Sequence, residues 1–122
     1  MRNIIVTIML LCSVASYGQQ KRLSYIDEDS SFYYLYDDAG KRSKTLPKSI
    51  GELQGWSATF FVVRQGSLYR IYDAQGKAGK VMPVSSVGKI LSVTGDNITS
   101  NSGNLIFVWD KNWKKIRTRA KQ

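Results

Sequence analysis

The chain has 122 residues, with 18 Lys and Arg against 9 Asp and Glu, no histidine and a formal charge of +9; this length suits one domain core and is too short for two. Its single cysteine, Cys12, excludes an intrachain disulfide, and the missing histidine excludes imidazole bases and imidazole zinc ligands. The positive charge favours solubility and contact with polyanions and is silent about fold.

In chain order, residues 1–18 come first. Arg2, an apolar run from Ile4 to Leu11 and small residues ending in Ser16-Tyr17-Gly18 follow the plan of a secretory signal peptide, the run being too short to span a bilayer. A cut after Gly18 is expected, leaving residues 19–122 as a single β-repeat domain with a basic C-terminal tail, secreted or periplasmic. Leu11 stands before Cys12, where a lipoprotein signal wants a small residue, which counts against lipid anchoring. Without cysteine the mature chain relies on packing, and none of its later segments is apolar for long enough to cross a membrane.

Asp27-Glu28-Asp29-Ser30-Ser31 is the densest acidic stretch. Asp27, Asp29 and Ser31 alternate like the first oxygen donors of a calcium loop, but Phe32 stands where such a loop needs glycine and the distal glutamate is missing. It is read as a solvated loop, and no metal site or cofactor is expected.

The next ten residues, FYYLYDDAGK (32–41), return 36 positions later as LYRIYDAQGK (68–77), and a degenerate third copy, LIFVWDKNWK (105–114), follows after another 37. Pro47 and Pro83 keep the same interval, and Gly51 and Gly88 lie 37 apart. Aromatic and β-branched residues before each aspartate predict a strand. Asp-x-x-Gly predicts a type I turn closed by a left-handed glycine, which gives Asp37, Gly40, Asp73, Gly76 and Asp110 structural roles. In the third copy Trp113 occupies the glycine place, and Asn112 is expected to take the left-handed conformation. Phe32, Tyr33, Tyr34, Leu35 and Tyr36 are expected to be mostly core, on a strand packed on both sides. Trp56 lies outside the repeated core and is the better ligand candidate.

ATFFVVR (58–64), KILSV (89–93) and NITS (97–100) each run into turn residues, and helical periodicity is absent after the leader. The fold expected is all-β: an antiparallel meander of about 36–37-residue four-strand repeats, two full units flanked by partial ones, as an open propeller-like or curved sandwich sheet. Lys111, Lys114, Lys115, Arg117, Arg119 and Lys121 crowd the C-terminus around Trp109, Trp113 and Ile116. They are read first as a charged edge strand with a frayed tail, and second as a polyanion patch in which Trp109, Trp113, Lys114, Lys115 and Arg117 contact ligand.

Tyr-x-x-Tyr-Asp-x-x-Gly-Lys, at Tyr33–Lys41 and Tyr69–Lys77, resembles the YD repeats of Rhs-type bacterial surface proteins, and the four-strand period resembles a β-propeller blade. These resemblances imply carbohydrate contact and ligand or partner binding. With no cysteine or histidine in the mature chain, and equivalent aspartates a repeat apart, no catalytic residue is assigned. The reading is an exported non-enzymatic module that binds a glycan or a protein partner, with an anionic ligand favoured by the charge and no specific nucleic acid expected. The alternative is a periplasmic inhibitor or immunity-type protein that blocks a toxin or enzyme. A monomer is favoured over a head-to-tail ring.

Overall fold

The computed structural model describes residues 22–120, so the leader, Cys12 and the cut after Gly18 lie outside the described residues. The chain is all-β, in three antiparallel sheets. The first holds β1 (Leu23–Glu28), β2 (Phe32–Asp37) and β3 (Arg42–Pro47). A 3-10 turn at Lys48–Ile50 leads to the second, β4 (Glu52–Trp56), β5 (Phe60–Gln65), β6 (Leu68–Asp73) and β7 (Ala78–Pro83). A single helical turn at Val84–Val87 leads to the third, β8 (Lys89–Thr94), β9 (Asn97–Ser102), β10 (Leu105–Asp110) and β11 (Lys115–Ala120). Strands pair in sequence order within each sheet, and no sheet closes on itself.

Side-chain alternation decides which faces are buried. In β5, Phe60 and Val62 enter a cluster with Ile98, Phe107, Trp109 and Trp113 of the third sheet. Phe61 and Val63, between them, enter a second cluster with Leu23, Tyr33, Leu35 and Leu46 of the first. The second sheet is thus covered on both sides, which explains why FFVV is apolar without a break. Each such side chain contributes about 1.5–3 kcal/mol by leaving water.

The three Asp-x-x-Gly or Asp-x-x-Trp turns share one hydrogen-bond pattern. Asp37 Oδ1 accepts from the amides of Ala39 and Lys41, Asp73 Oδ1 from Gln75 and Lys77, and Asp110 Oδ1 from Asn112 and Lys114, all between 2.8 and 3.0 Å. Gly40 and Gly76 hold φ of 76° and 83°. In the third turn the left-handed residue is Trp113, at φ 63°, and not Asn112. Burial offsets its backbone strain: the ring is 5% exposed, packs 6.2 Å from Tyr69 and 6.0 Å from Trp109, and its Nε1–H donates to the Lys80 carbonyl at 3.1 Å.

One further correction concerns the ends. Among the described residues the sheets have three, four and four strands, so a single incomplete sheet opens the chain and a complete one closes it. The basic C-terminal segment is an edge strand through Ala120, paired to β10 and exposed along its whole length, and the tail expected to fray lies beyond the described residues.

Candidate binding face on the first sheet

In β2 the inward residues are Tyr33, Leu35 and Asp37, buried against the second sheet, while Phe32, Tyr34 and Tyr36 point the other way. The equivalent rows of the next two sheets are covered except at their first residues, Leu68 and Leu105, each 40% exposed: Tyr72 stacks on Phe61 at 5.2 Å within one core cluster, and Phe107 and Trp109 sit inside the other. Among the described residues no sheet precedes the first. Its outward row therefore faces solvent, with Tyr25 48% and Phe32 41% exposed and Tyr34 and Tyr36 half-buried. The expectation that Phe32, Tyr34 and Tyr36 are core is corrected, because a strand at the end of a stack has a covering sheet on one side only.

Register assembles the face. Tyr36 lies between Tyr25 on β1 and Arg42 on β3, and Tyr34 lies between Asp27 and Thr45. The Tyr25 and Tyr36 rings are 5.4 Å apart at 50°, and those of Phe32 and Tyr34 are 6.3 Å apart. The Arg42 guanidinium lies 4.4 Å from the Tyr34 ring centroid and donates to Tyr36 Oη at 3.3 Å, which raises its pKa. Tyr34 Oη donates to Asp29 Oδ2 at 2.6 Å, while Asp29 Oδ1 accepts from the amides of Ser31 and Phe32. These bonds, Tyr34's first, hold the Asp29 carboxyl below its ordinary value and push the Tyr34 hydroxyl above its own. With Asp29 so engaged, the acidic stretch is a hydrogen-bonded corner supporting the face.

Chemically the face offers four ring surfaces beside a guanidinium and the carboxylates of Asp27 and Asp29. Such a mixture receives a ligand with apolar C–H faces and hydroxyl groups: rings cover the former and the charged groups exchange hydrogen bonds with the latter.

The residues singled out from sequence do not converge. Trp56, 37% exposed, ends β4 opposite Phe61, on the second sheet. Trp109 and Trp113 are each 5% exposed, and Trp109 Nε1–H donates to Ser100 Oγ at 2.9 Å. They are core residues with no ring face to give a ligand, so their assignment to binding is corrected. Lys115 extends its ammonium over Phe107 at 3.9 Å and Trp109 at 5.2 Å, covering the rim of that core. Lys114 and Arg117 are exposed, Arg117 on β11 opposite Val108. Sequence reasoning missed Tyr25, Tyr34, Tyr36 and Arg42 as a group. The signal for them was positional: the first copy of the decapeptide carries most tyrosines and has no earlier copy to cover it.

Among the described residues no helix is long and apolar enough to cross a membrane. No protein-family model matches the chain, and no curated protein or solved structure matches it.

Proposed function

We propose that this chain is an exported, non-enzymatic module that binds a glycan on the outward face of its first sheet. The observation that carries the reading is the open group of Tyr25, Tyr34 and Tyr36: the counterparts of Tyr25 (Phe61 and Ile98) and of Tyr36 (Tyr72 and Trp109) are buried, as is Phe107, the third-sheet counterpart of Tyr34. Export rests on the leader at residues 1–18, and places the protein in the periplasm or outside the cell. The non-enzymatic reading is supported by the turn aspartates, each committed to amides of its own turn in a separate sheet. The three sheets are read as successive units of one repeat, arranged like neighbouring propeller blades. Their shared turn and the Tyr33 and Tyr69 hydroxyls, bonded to the carbonyls of Gly51 and Gly88, support that reading.

A second reading has its own support. The equivalent rows elsewhere pack sheet on sheet, so the open face also suits a protein partner, such as a toxin or enzyme held in a tight one-to-one complex. Titration calorimetry against neutral and acidic polysaccharides separates the two. The paired change Tyr34→Ala and Tyr36→Ala is expected to weaken glycan binding by about ten-fold or more, stacking being worth on the order of 1–1.5 kcal/mol per ring, while a cooperative melting transition is kept at a temperature lowered by loss of the Tyr34–Asp29 and Arg42–Tyr36 bonds. Binding that survives this change overturns the glycan face.

A further inference from the structure

Two clefts open at the end of the stack that carries the Asp-x-x-Gly turns. Where the β6–β7 turn meets the β10–β11 turn, a cavity of about 450 Å³ is lined by Arg22, Lys77, Lys80 and Lys111 over a floor that includes Phe60 and Ile71. Where the β2–β3 turn meets the β6–β7 turn, a second of about 290 Å³ is lined by Arg22, Lys41 and Arg42. Arg22, just before β1, lines both. Six cations, Arg42, Lys41, Arg22, Lys77, Lys80 and Lys111, thus line two clefts joined at Arg22.

Carboxylates also stand along these clefts, Asp37 and Asp73 in the linings and Asp96, Asp110 and Asp27 near Lys111, Lys80 and Arg42. Asp37 and Asp73 each accept two amides of their own turn, and Asp96, 3.5 Å from Lys111, also accepts the Thr59 hydroxyl at 2.8 Å. Gathering like charges costs free energy that a bound anion recovers. Arg42 connects the clefts to the open aromatic face, because its guanidinium lies over Tyr34 and the same residue also lines the smaller cleft. A chain resting on the tyrosines is therefore led round the edge of the first sheet into the cationic clefts.

We infer that the ligand is an acidic polysaccharide whose carboxylates occupy the Arg22-centred clefts while its sugar rings cover Tyr34 and Tyr36. This inference rests on the glycan reading above and adds the charge of the ligand and the path it takes. Single-stranded nucleic acid can set bases on the tyrosine face but finds no exposed ring in the clefts, where the carboxylates of a glycan need none. Phe60, the aromatic residue of the larger lining, is 1% exposed, and the smaller has none.

The test titrates the full chain with a polyuronate, a neutral polysaccharide and single-stranded DNA at several salt concentrations. Arg22 and Lys80 are exposed, so Arg22→Glu with Lys80→Glu leaves the core intact, and the melting temperature checks this; Arg22→Gln with Lys80→Gln is the milder pair. The expected result is a loss of polyuronate affinity of about ten-fold or more, with the slope of log affinity against log salt reduced by about two, roughly one for each cation removed. If polyuronate binding ignores the cleft pair yet disappears with the Tyr34 and Tyr36 changes, the clefts are overturned and the glycan face stands. Equal binding of the neutral polymer has the same consequence. Binding of neither polymer overturns both readings, and equally tight DNA binding lost by the same pair overturns the assignment to a glycan.

Discussion

Asp29 sits at the corner between β1 and β2, and its two oxygens order both the corner and the open face. Tyr34 donates to one, and the amides of Ser31 and Phe32 donate to the other. All three favour the ionised carboxylate, so its pKa is lowered from the ordinary 3.8. A carboxyl whose pKa folding lowers stabilises the fold fully above its ordinary value, and that contribution is lost as pH falls through the folded value. The window therefore lies below pH 3.8. Tyr34→Phe removes the largest of these influences, and the Asp29 titration midpoint, followed by carboxyl NMR, is expected to rise toward 3.8. An unchanged midpoint would show that the two amides alone hold it down. None of this was legible in the sequence, where Asp29 belongs to a run of acids and Tyr34 to a run of rings; their meeting depends on which face of β2 looks outward.

Elements were legible where local chemistry determines them. Aromatic and β-branched runs became strands, and Asp-x-x-Gly became a turn because its carboxylate finds amides within the same turn. Trp113 broke that local rule, since a buried ring with partners in the second sheet outweighs the backbone preference that favoured Asn112. The links between sheets were legible as paired prolines, Pro47 and Pro83, and paired glycines, Gly51 and Gly88, and the need for glycine there is tertiary. Gly88 has φ 87°, and a Cβ there would lie 2.2 Å from the Asn101 carbonyl oxygen, whereas one at Gly40, φ 76°, meets nothing within 4 Å. Gly40→Ala should cost about 1 kcal/mol of left-handed strain. Gly88→Ala adds to its strain a clash with rigid backbone, for a total of about 2–6 kcal/mol. Urea unfolding of the two variants compares them directly; equal losses would mean that the junction relaxes and is not the tight link described.

At the scale of the whole molecule, a stack of three sheets has two end faces, and their unlike chemistry decides whether copies join. Inside the stack, Val62 of the second sheet meets the third sheet's apolar row. The position 37 residues later is Thr99, which lies beside Val108 and, across it, Arg117, with Asn101, Ile106 and Arg119 forming the neighbouring row. The outer face of the third sheet is therefore amide-bearing and cationic where the corresponding inner face is apolar. Setting it against the tyrosine face of a second copy would strip water from two guanidinium groups, and Asp27 and Asp29 at the opposite end give only partial compensation, Asp29 being already engaged. The charged β11 also blunts the sheet edge that would otherwise recruit a neighbour. We therefore predict a monomer, with its tyrosine face open for ligand. Light scattering over a range of protein concentrations, at low and raised salt, measures this. A mass that stays that of one chain throughout fits the prediction. A trimer or larger ring that persists in salt would mean that the end faces are complementary, and would assign the tyrosines to a joint between copies.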